Sequence, residues 1–216
     1  MKENITITLE KAKEWYQSGN ATLKEVALQA FNKDELICTF KDITTLRKAC
    51  EALGYSYTPV FAMTKSLATV SRASSAMFKL NIIRKALNLG YDLSLTENPK
   101  DYYVYYPYNP FVTEHSTYYR YAIKSGKTEV IGKIKSEGIL YNVLDGITCS
   151  GSAVGLGRFY SYDGVCGADA GFGFLGCATK EIVQHFSKCF GMLITEAKYA
   201  DMVDFEIIED KYGGTK

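Results

Sequence analysis

The stretch from Thr179 to Tyr199, TKEIVQHFSKCFGMLITEAKY, decides how the second half of this chain folds. Thr179 stands where a helix N-cap belongs, because its hydroxyl oxygen can accept a hydrogen bond from a free amide of the first turn. Apolar residues then recur at helical spacing along one face. They are Ile182, Phe186, Phe190, Leu193 and Ala197. We expect a long helix from about Lys180 to Tyr199 that buries this face.

The residues before that helix supply the surface that it covers. Their pattern is β-rich, with branched and aromatic side chains, short alternating runs and turn residues between them. The predicted strand regions are Tyr102–Phe111, Thr117–Ile123, Thr128–Lys135 and Ile139–Leu144, with a tight turn at Ser125–Lys127 and a closing strand at Phe205–Ile208. Antiparallel pairing is expected because the connections are short.

Helix signals dominate residues 8–90. Thr8 begins a helix that runs through Tyr16, and Thr22 and Glu25 have the spacing of a capping box. Further helices are predicted from Thr45 to Leu53 and from Ser74 to Asn88. The predicted fold class is therefore α+β: a helical region over residues 1–90, then an antiparallel aromatic and glycine-rich β domain over 91–216 that is covered by the C-terminal helix.

Composition narrows the functional classes. The chain has 216 residues and a formal net charge of +1, so no overall field attracts a polyanion. The first residues lack the apolar core of a signal peptide, and no apolar run reaches 18 residues. The six cysteines form no C-x-x-C pair and are expected to be reduced. We expect neither a signal peptide nor a transmembrane helix.

Catalytic motifs are scarce. The sequence contains no P-loop, G-x-S-x-G or H-E-x-x-H pattern. Gly171–Gly176 matches G-x-G-x-x-G, but the remaining 40 residues leave no room for a doubly wound sheet. His185 and Cys189 stand four residues apart on the last helix, as a nucleophile pair or two zinc ligands would. We predict no catalytic site, no metal and no cofactor, and keep this pair as the enzymatic alternative.

The stretch from Ala52 to Tyr91 contains no acidic residue. Its five cations are Lys65, Arg72, Lys79, Arg84 and Lys85. Such a stretch can bind phosphate groups of a nucleic acid or of a small ligand. It can equally be a solvated face that pairs with carboxylates elsewhere, and the sequence leaves both interpretations open.

Two aromatic features favour recognition. Nine tyrosines lie between Tyr91 and Tyr121, and tyrosine suits contact surfaces because it is large, stiff and polar at its tip. Residues 138–179 contain no Lys, Glu, Gln, Met or Trp and hold Arg158 as their one cation. This composition is typical of adaptable binding loops and also of a buried glycine-rich sheet.

Four segments carry a resemblance that covers most of the chain. Met77–Gly90, Tyr105–Pro107, Ile131–Gly138 and Phe174–Ile182 resemble uncharacterised proteins of gut Bacteroidetes bacteria and their phages or prophages, and residues 8–20 are similar to a leader found on many such proteins. The resemblance implies a phage or prophage setting and a place in the host cytoplasm or the virion. It transfers no activity and no catalytic residue.

Our first functional hypothesis is a non-enzymatic recognition protein, virion-associated or receptor-binding, that presents a Tyr, Ser and Gly surface to a host glycan or protein. Its helical part would serve attachment or assembly, as a homo-oligomer or virion component. The candidate ligand-binding residues are Tyr103, Tyr105, Tyr108, Arg158, Tyr160, Tyr162, Asp163 and Asp169.

The alternative hypothesis is an anti-defence sponge that sequesters a nucleotide signalling molecule or another phosphate-bearing small molecule. Its pocket would be lined by aromatic and cationic side chains. Arginine binds phosphate through paired N–H donors, so the candidate partners are Arg72, Arg84, Arg120 and Arg158.

Overall fold

A computed structural model describes residues 7–18, 20–36, 39–91, 103–107, 109–126, 128–145, 147–151, 175–201 and 204–215. The chain divides into two compact units, Met1–Asp42 and Ile43–Lys216. The division predicted near residue 90 adjoins residues 92–102, which lie outside the described part, and it stays a prediction. The α+β class is confirmed, with helices, a four-stranded antiparallel sheet among the described strands, and a long helix near the C-terminus.

The first unit is helical. It contains α1 (Leu9–Gln17), α2 (Ala21–Ala30), α3 (Lys33–Leu36) and a 3-10 turn at Phe40–Asp42. Ala12, Ala27 and Leu36 form its buried core. Thr8 caps α1 as predicted, accepting a hydrogen bond from the Lys11 amide.

The capping box predicted at Thr22 is wrong. The cap of α2 is Asn20, whose side-chain oxygen accepts from the amides of Thr22 and Leu23. Asn20 has an extended backbone, with φ −88° and ψ 111°, whereas Thr22 is already inside the first helical turn. The asparagine oxygen therefore does what the threonine was expected to do.

The second unit holds the remaining helices. They are α4 (Leu46–Ala52), α5 (Tyr57–Ala68), α6 (Arg72–Leu87), α7 (Thr117–Lys124) and α8 (Lys180–Tyr199). α6 packs against α4, α5 and α8, and α8 also packs against the strands. The bounds of α8 and its Thr179 cap are as predicted. None of the helices in the described part of the chain is long and apolar enough to cross a membrane.

The strands form two sheets. Their bounds are β1 (Tyr103–Pro107), β2 (Phe111–Val112), β3 (Val130–Ser136), β4 (Ile139–Leu144), β5 (Ile147–Gly151) and β6 (Glu206–Asp210). β1 pairs with β5, and the larger sheet has the order β2-β4-β3-β6, with every pairing antiparallel. β3 and β4 are joined at Glu137 and Gly138, whose φ angles of 51° and 78° suit a two-residue hairpin turn.

α8 lies very close to the larger sheet. A Cβ on Gly191 would come within 2.3 Å of Ile131 Cδ1, and one on Gly132 would come within 2.4 Å of Met192 Sδ. Glycine at both positions lets the helix and β3 approach until the side chains of Ile131 and Met192 fill the space between them. This contact fixes α8 over the sheet, and α6 packs against α8 in turn.

The strand predicted at Thr117–Ile123 is wrong, because these residues form α7. The Ser116 hydroxyl caps the helix by accepting from the Tyr119 amide, and Ala122 is its buried contact. The turn predicted between strands at Ser125–Lys127 instead follows a helix: Ser125 is the C-cap and Gly126 has a φ of +66°. A local cap outweighed the β preference of the tyrosines.

Candidate functional site

A cavity of about 430 Å³ opens beside α6 and α8, and we call it the α6–α8 cavity. Its polar lining consists of Arg72, Ser75, Lys79, Glu196 and Thr215. Ala68 and Ile207 supply apolar surface from α5 and β6. The volume lies in the range of small-molecule sites, and the mixture of apolar wall and convergent polar groups is typical of them.

The cations of the cavity come from one face of α6. Arg72, Ser75 and Lys79 have the spacing i, i+3, i+7, so successive turns bring them to the same side. Ser75 is buried and its hydroxyl donates to the Thr64 carbonyl at 2.8 Å, which joins α6 to α5. Arg72 and Lys79, at the two ends of this series, contribute their charges to the cavity lining.

Arg72 is held by a carboxylate from α8. Its Nη2 and Nε donate to the same oxygen of Glu196, Oε1, at 3.0 and 3.3 Å. Asp201 fixes the start of α6 by accepting from the Ser71 hydroxyl and the Ala73 amide, and these bonds lower the pKa of Asp201. Arg72, which the sequence predicted as a phosphate partner, therefore lies at the cavity in a fixed position.

Lys79 is differently placed. Its side chain is partly buried, and its ammonium donates to the carbonyl oxygen of Thr215 at 3.1 Å. Burial lowers the pKa of Lys79, and the more distant charge of Glu196 opposes that shift. Within the described part of the chain, no carboxylate forms an ion pair with this ammonium. A desolvated cation whose hydrogen bond goes to a neutral carbonyl favours the arrival of an anion.

The C-terminal residues position Thr215. Asp210, at the end of β6, accepts from the Gly213 amide and from the amide and hydroxyl of Thr215. Gly214 passes so close to α8 that a Cβ there would lie 2.4 Å from the Cys189 carbonyl oxygen. The segment therefore turns back over α8 and brings a carbonyl to Lys79.

Two of the other predicted phosphate partners, Arg84 and Arg120, do not line this cavity. Arg84 donates from Nε to the Gly176 carbonyl at 3.1 Å, which ties the segment before α8 to α6. Arg120 is exposed on α7. Arg158 lies outside the described residues. Lys65, from the same basic stretch, lies over the Phe61 ring at 4.7 Å from its centroid.

The residues predicted for a display surface are mostly outside the described part. Tyr103 and Tyr105 have their backbone in β1, and their side chains are not described. Tyr108, Arg158, Tyr160, Tyr162, Asp163 and Asp169 all lie outside the described residues, as do residues 171–174 of the glycine motif. From the same tyrosine-rich region, Tyr91, Tyr118 and Tyr121 are 51%, 49% and 75% exposed.

His185 and Cys189 do lie together. Cys189 Sγ is 3.7 Å from His185 Nδ1, and His185 Nε2 is 2.8 Å from the Ile43 carbonyl oxygen. A carbonyl only accepts, so Nε2 carries the proton and Nδ1 accepts from the thiol. Burial raises the pKa of Cys189, which favours the thiol over the nucleophilic thiolate. No third His, Cys, Asp or Glu joins them as a metal ligand in the described part.

Sequence reasoning predicted Arg72 as a phosphate partner and placed Lys79 among the cations of the basic stretch, but it did not assign Glu196 or Thr215 to this site. The spacing of Arg72, Ser75 and Lys79 was the available signal, because three polar residues share one face of a helix that is otherwise largely apolar. Glu196 is 124 positions from Arg72, and only the packing of α8 on α6 brings them together.

No family model, curated protein or solved structure matches the chain. The chemistry of the α6–α8 cavity is therefore the basis on which a function is proposed.

Proposed function

We propose that this chain is a non-enzymatic binding protein that holds a small phosphate-bearing ligand in the α6–α8 cavity. The observation that carries the proposal is the Lys79 ammonium, which is partly buried beside the cavity and bonded to a neutral carbonyl. Arg72 stands two helical turns away on the same face.

The electrostatics favour an anion over a neutral ligand. Burying a charge without a counter-charge is unfavourable, and an incoming anion reduces that penalty for Lys79. Phosphate suits the pair because it carries up to two negative charges and presents several acceptor oxygens. Counting Arg72, Lys79 and Glu196, the cavity lining carries two positive charges and one negative charge.

A nucleotide is the specific ligand class that this proposal adopts. The cavity has room beyond a phosphate group, and Ile207 and Ala68 offer apolar surface for the rest of the molecule. In the phage setting that the resemblance implies, such a protein would sequester a nucleotide signalling molecule of the host. Sequestration needs affinity and no chemistry, which is consistent with the absence of recognised catalytic motifs in the sequence.

A second candidate function is recognition of a host glycan or protein by the tyrosine-rich region. The specific observation in its favour is that Tyr118 and Tyr121, three residues apart on α7, are both exposed. Exposed tyrosines at this spacing form one contact surface. Alanine at both positions, and at Tyr160 and Tyr162, should weaken binding to host surface extract and leave the melting temperature unchanged.

A thermal-shift series tests the first candidate. Inorganic phosphate, 5′-mononucleotides and cyclic nucleotides are titrated at constant ionic strength against the wild-type chain and Lys79→Met. A ligand that binds the folded state raises the melting temperature, by an amount that follows its affinity. We expect stabilisation of the wild type and little or none of Lys79→Met. Equal responses of the two proteins, or no response to any phosphate, would contradict the proposal.

A further inference from the structure

We infer that the ligand of the α6–α8 cavity carries hydroxyl groups close to its phosphate, as a sugar phosphate or a ribose-containing nucleotide does, and that Glu196 binds a hydroxyl. This inference rests on the proposed function and narrows it. It concerns the one carboxylate among the described residues that line the cavity.

One of the two carboxylate oxygens of Glu196 is engaged by the described residues. Both hydrogen bonds from Arg72 go to Oε1. Its second oxygen, Oε2, accepts no hydrogen bond from the described residues. The side chain is only 14% exposed, so it is held in place at the cavity wall. A fixed, ionised acceptor with spare capacity binds an N–H or O–H donor.

The same carboxylate disfavours a phosphate ester that has no hydroxyl group. A dianion placed against Lys79 and Arg72 also meets the negative charge of Glu196, which lines the same cavity. Like charges in a partly desolvated site repel, and this opposes ligands that bring only acceptors. A hydroxyl near the phosphate replaces that repulsion by a charge-assisted hydrogen bond. Glu196 therefore favours phosphate esters that carry a hydroxyl group over those that do not.

A sugar or polyol phosphate matches the three charged residues and the apolar wall of the cavity at once. Its phosphate meets Lys79 and Arg72, its hydroxyl meets Glu196 Oε2, and its carbon skeleton packs on Ile207 and Ala68. A free amino acid would also match an anion to the cations and a donor to Glu196. It brings one negative charge where a phosphate ester brings up to two, and glycine is therefore included among the titrated ligands.

The sharpest test compares two esters with the same three-carbon skeleton and the same charge. Glycerol 3-phosphate has two hydroxyl groups, and n-propyl phosphate has none. Isothermal titration of the wild-type chain should give about tenfold or more higher affinity for glycerol 3-phosphate, since a hydrogen bond to a charged group is worth about 1.5–3 kcal/mol. Ribose 5-phosphate should bind at least as tightly as glycerol 3-phosphate.

Glu196→Gln is the matched variant, because glutamine keeps an acceptor oxygen for Arg72 and loses the negative charge. We expect the preference for glycerol 3-phosphate to fall to about threefold or less and the affinity for n-propyl phosphate to rise. Glu209→Gln, at an exposed carboxylate on β6 that pairs with Lys133, is the control and should keep the wild-type preference.

The outcomes separate this inference from the proposed function. Equal affinity of the wild type for the two esters overturns the role of Glu196 and leaves phosphate binding standing. Tighter binding of free glycine than of glycerol 3-phosphate also overturns it. If neither ester nor inorganic phosphate binds, the proposed function fails as well. The wild-type comparison decides the matter even if Glu196→Gln does not fold.

Discussion

Two ionic clusters in residues 43–216 differ in how far their charges are already neutralised by neighbouring groups. At the first, Glu129 accepts from Lys188 Nζ at 2.8 Å, from Lys211 Nζ at 3.3 Å and from the Tyr212 hydroxyl. Three donors surround one carboxylate, and together they lower the pKa of Glu129 to about 2 despite partial burial. We call this the Glu129 cluster. It ties the C-terminal residues to α8 and to the segment that leads into β3.

At the second, in the α6–α8 cavity, the Lys79 ammonium has one carbonyl acceptor and a lowered pKa. A structural charge and a charge that is prepared for a ligand therefore differ in whether charged partners already surround them. A saturated cluster gains nothing from a further ion, whereas a partly buried cation with a neutral partner does.

The largest effect is expected at Lys79. Lys79→Met should lower the affinity for inorganic phosphate about 10- to 100-fold, because one hydrogen bond to a charged group is lost. The free protein should lose no stability, since methionine keeps most of the packing volume and removes a desolvated charge. Isothermal titration and urea unfolding measure the two effects.

The control for Lys79→Met is Lys133→Met, which removes a cation that pairs with Glu209 on the sheet and does not line the cavity. Phosphate affinity should stay within about twofold of the wild type. A similar loss in both variants would mean that general positive charge, and not the cavity, attracts phosphate.

The Glu129 cluster should give the reverse result. Glu129→Gln is expected to lower the free energy of unfolding by about 1 kcal/mol, a modest value because the cluster is partly solvated and water screens it. Phosphate affinity should not change. Urea titration at neutral pH measures the free energy of unfolding. A loss of phosphate binding in Glu129→Gln would contradict the distinction between the two clusters.

Acid should weaken the Glu129 cluster selectively. The pKa of Glu129 in the folded chain, about 2, is below its ordinary value of 4.5. A carboxyl group whose pKa is depressed by folding stabilises the fold above its unfolded pKa, and this contribution is lost as the pH falls from about 4.5 towards 2. In urea unfolding, the stability difference between the wild type and Glu129→Gln should therefore shrink over that interval. A difference that stays constant down to pH 2 contradicts this assignment.

The smallest effect is expected on the alkaline side. Folding lowers the pKa of Lys79, so the unfolded chain binds more protons there than the folded chain as the pH approaches 10.5. Stability then rises with pH in that interval, by the linkage between proton binding and folding. The stability of the wild type relative to that of Lys79→Met should therefore increase as the pH rises towards 10.5. A constant difference would mean that the ammonium is not desolvated.

The elements that were predicted correctly have local signals. Thr179 and the apolar face of Lys180–Tyr199 define α8 within the sequence itself, and Ile139–Leu144 has the composition of a strand. α7 was predicted as a strand because several tyrosines in it favour β structure. Its helix signal, the Ser116 cap, is a single residue and was outweighed in the sequence pattern. α5 was not predicted.

The site was predicted only in part, for a different reason. The sequence predicted both Arg72 and Arg84 as phosphate partners. Arg72 lines the cavity, in an ion pair with Glu196, whereas Arg84 does not line it and donates from Nε to the Gly176 carbonyl. Which cation faces a cavity depends on contacts between residues more than 90 positions apart, such as Arg84 with Gly176 and Lys79 with Thr215. A pattern within a short stretch of sequence does not report contacts between residues so far apart in the chain.

The most direct test is a titration of the Lys79 side chain by NMR, with and without inorganic phosphate. The chain is labelled on the lysine side chains, and Lys79 is assigned by comparison with Lys79→Met. We expect the pKa of Lys79 to lie below the ordinary lysine value of 10.5 in the free protein and to rise when phosphate binds. An ordinary pKa that phosphate leaves unchanged would contradict the account.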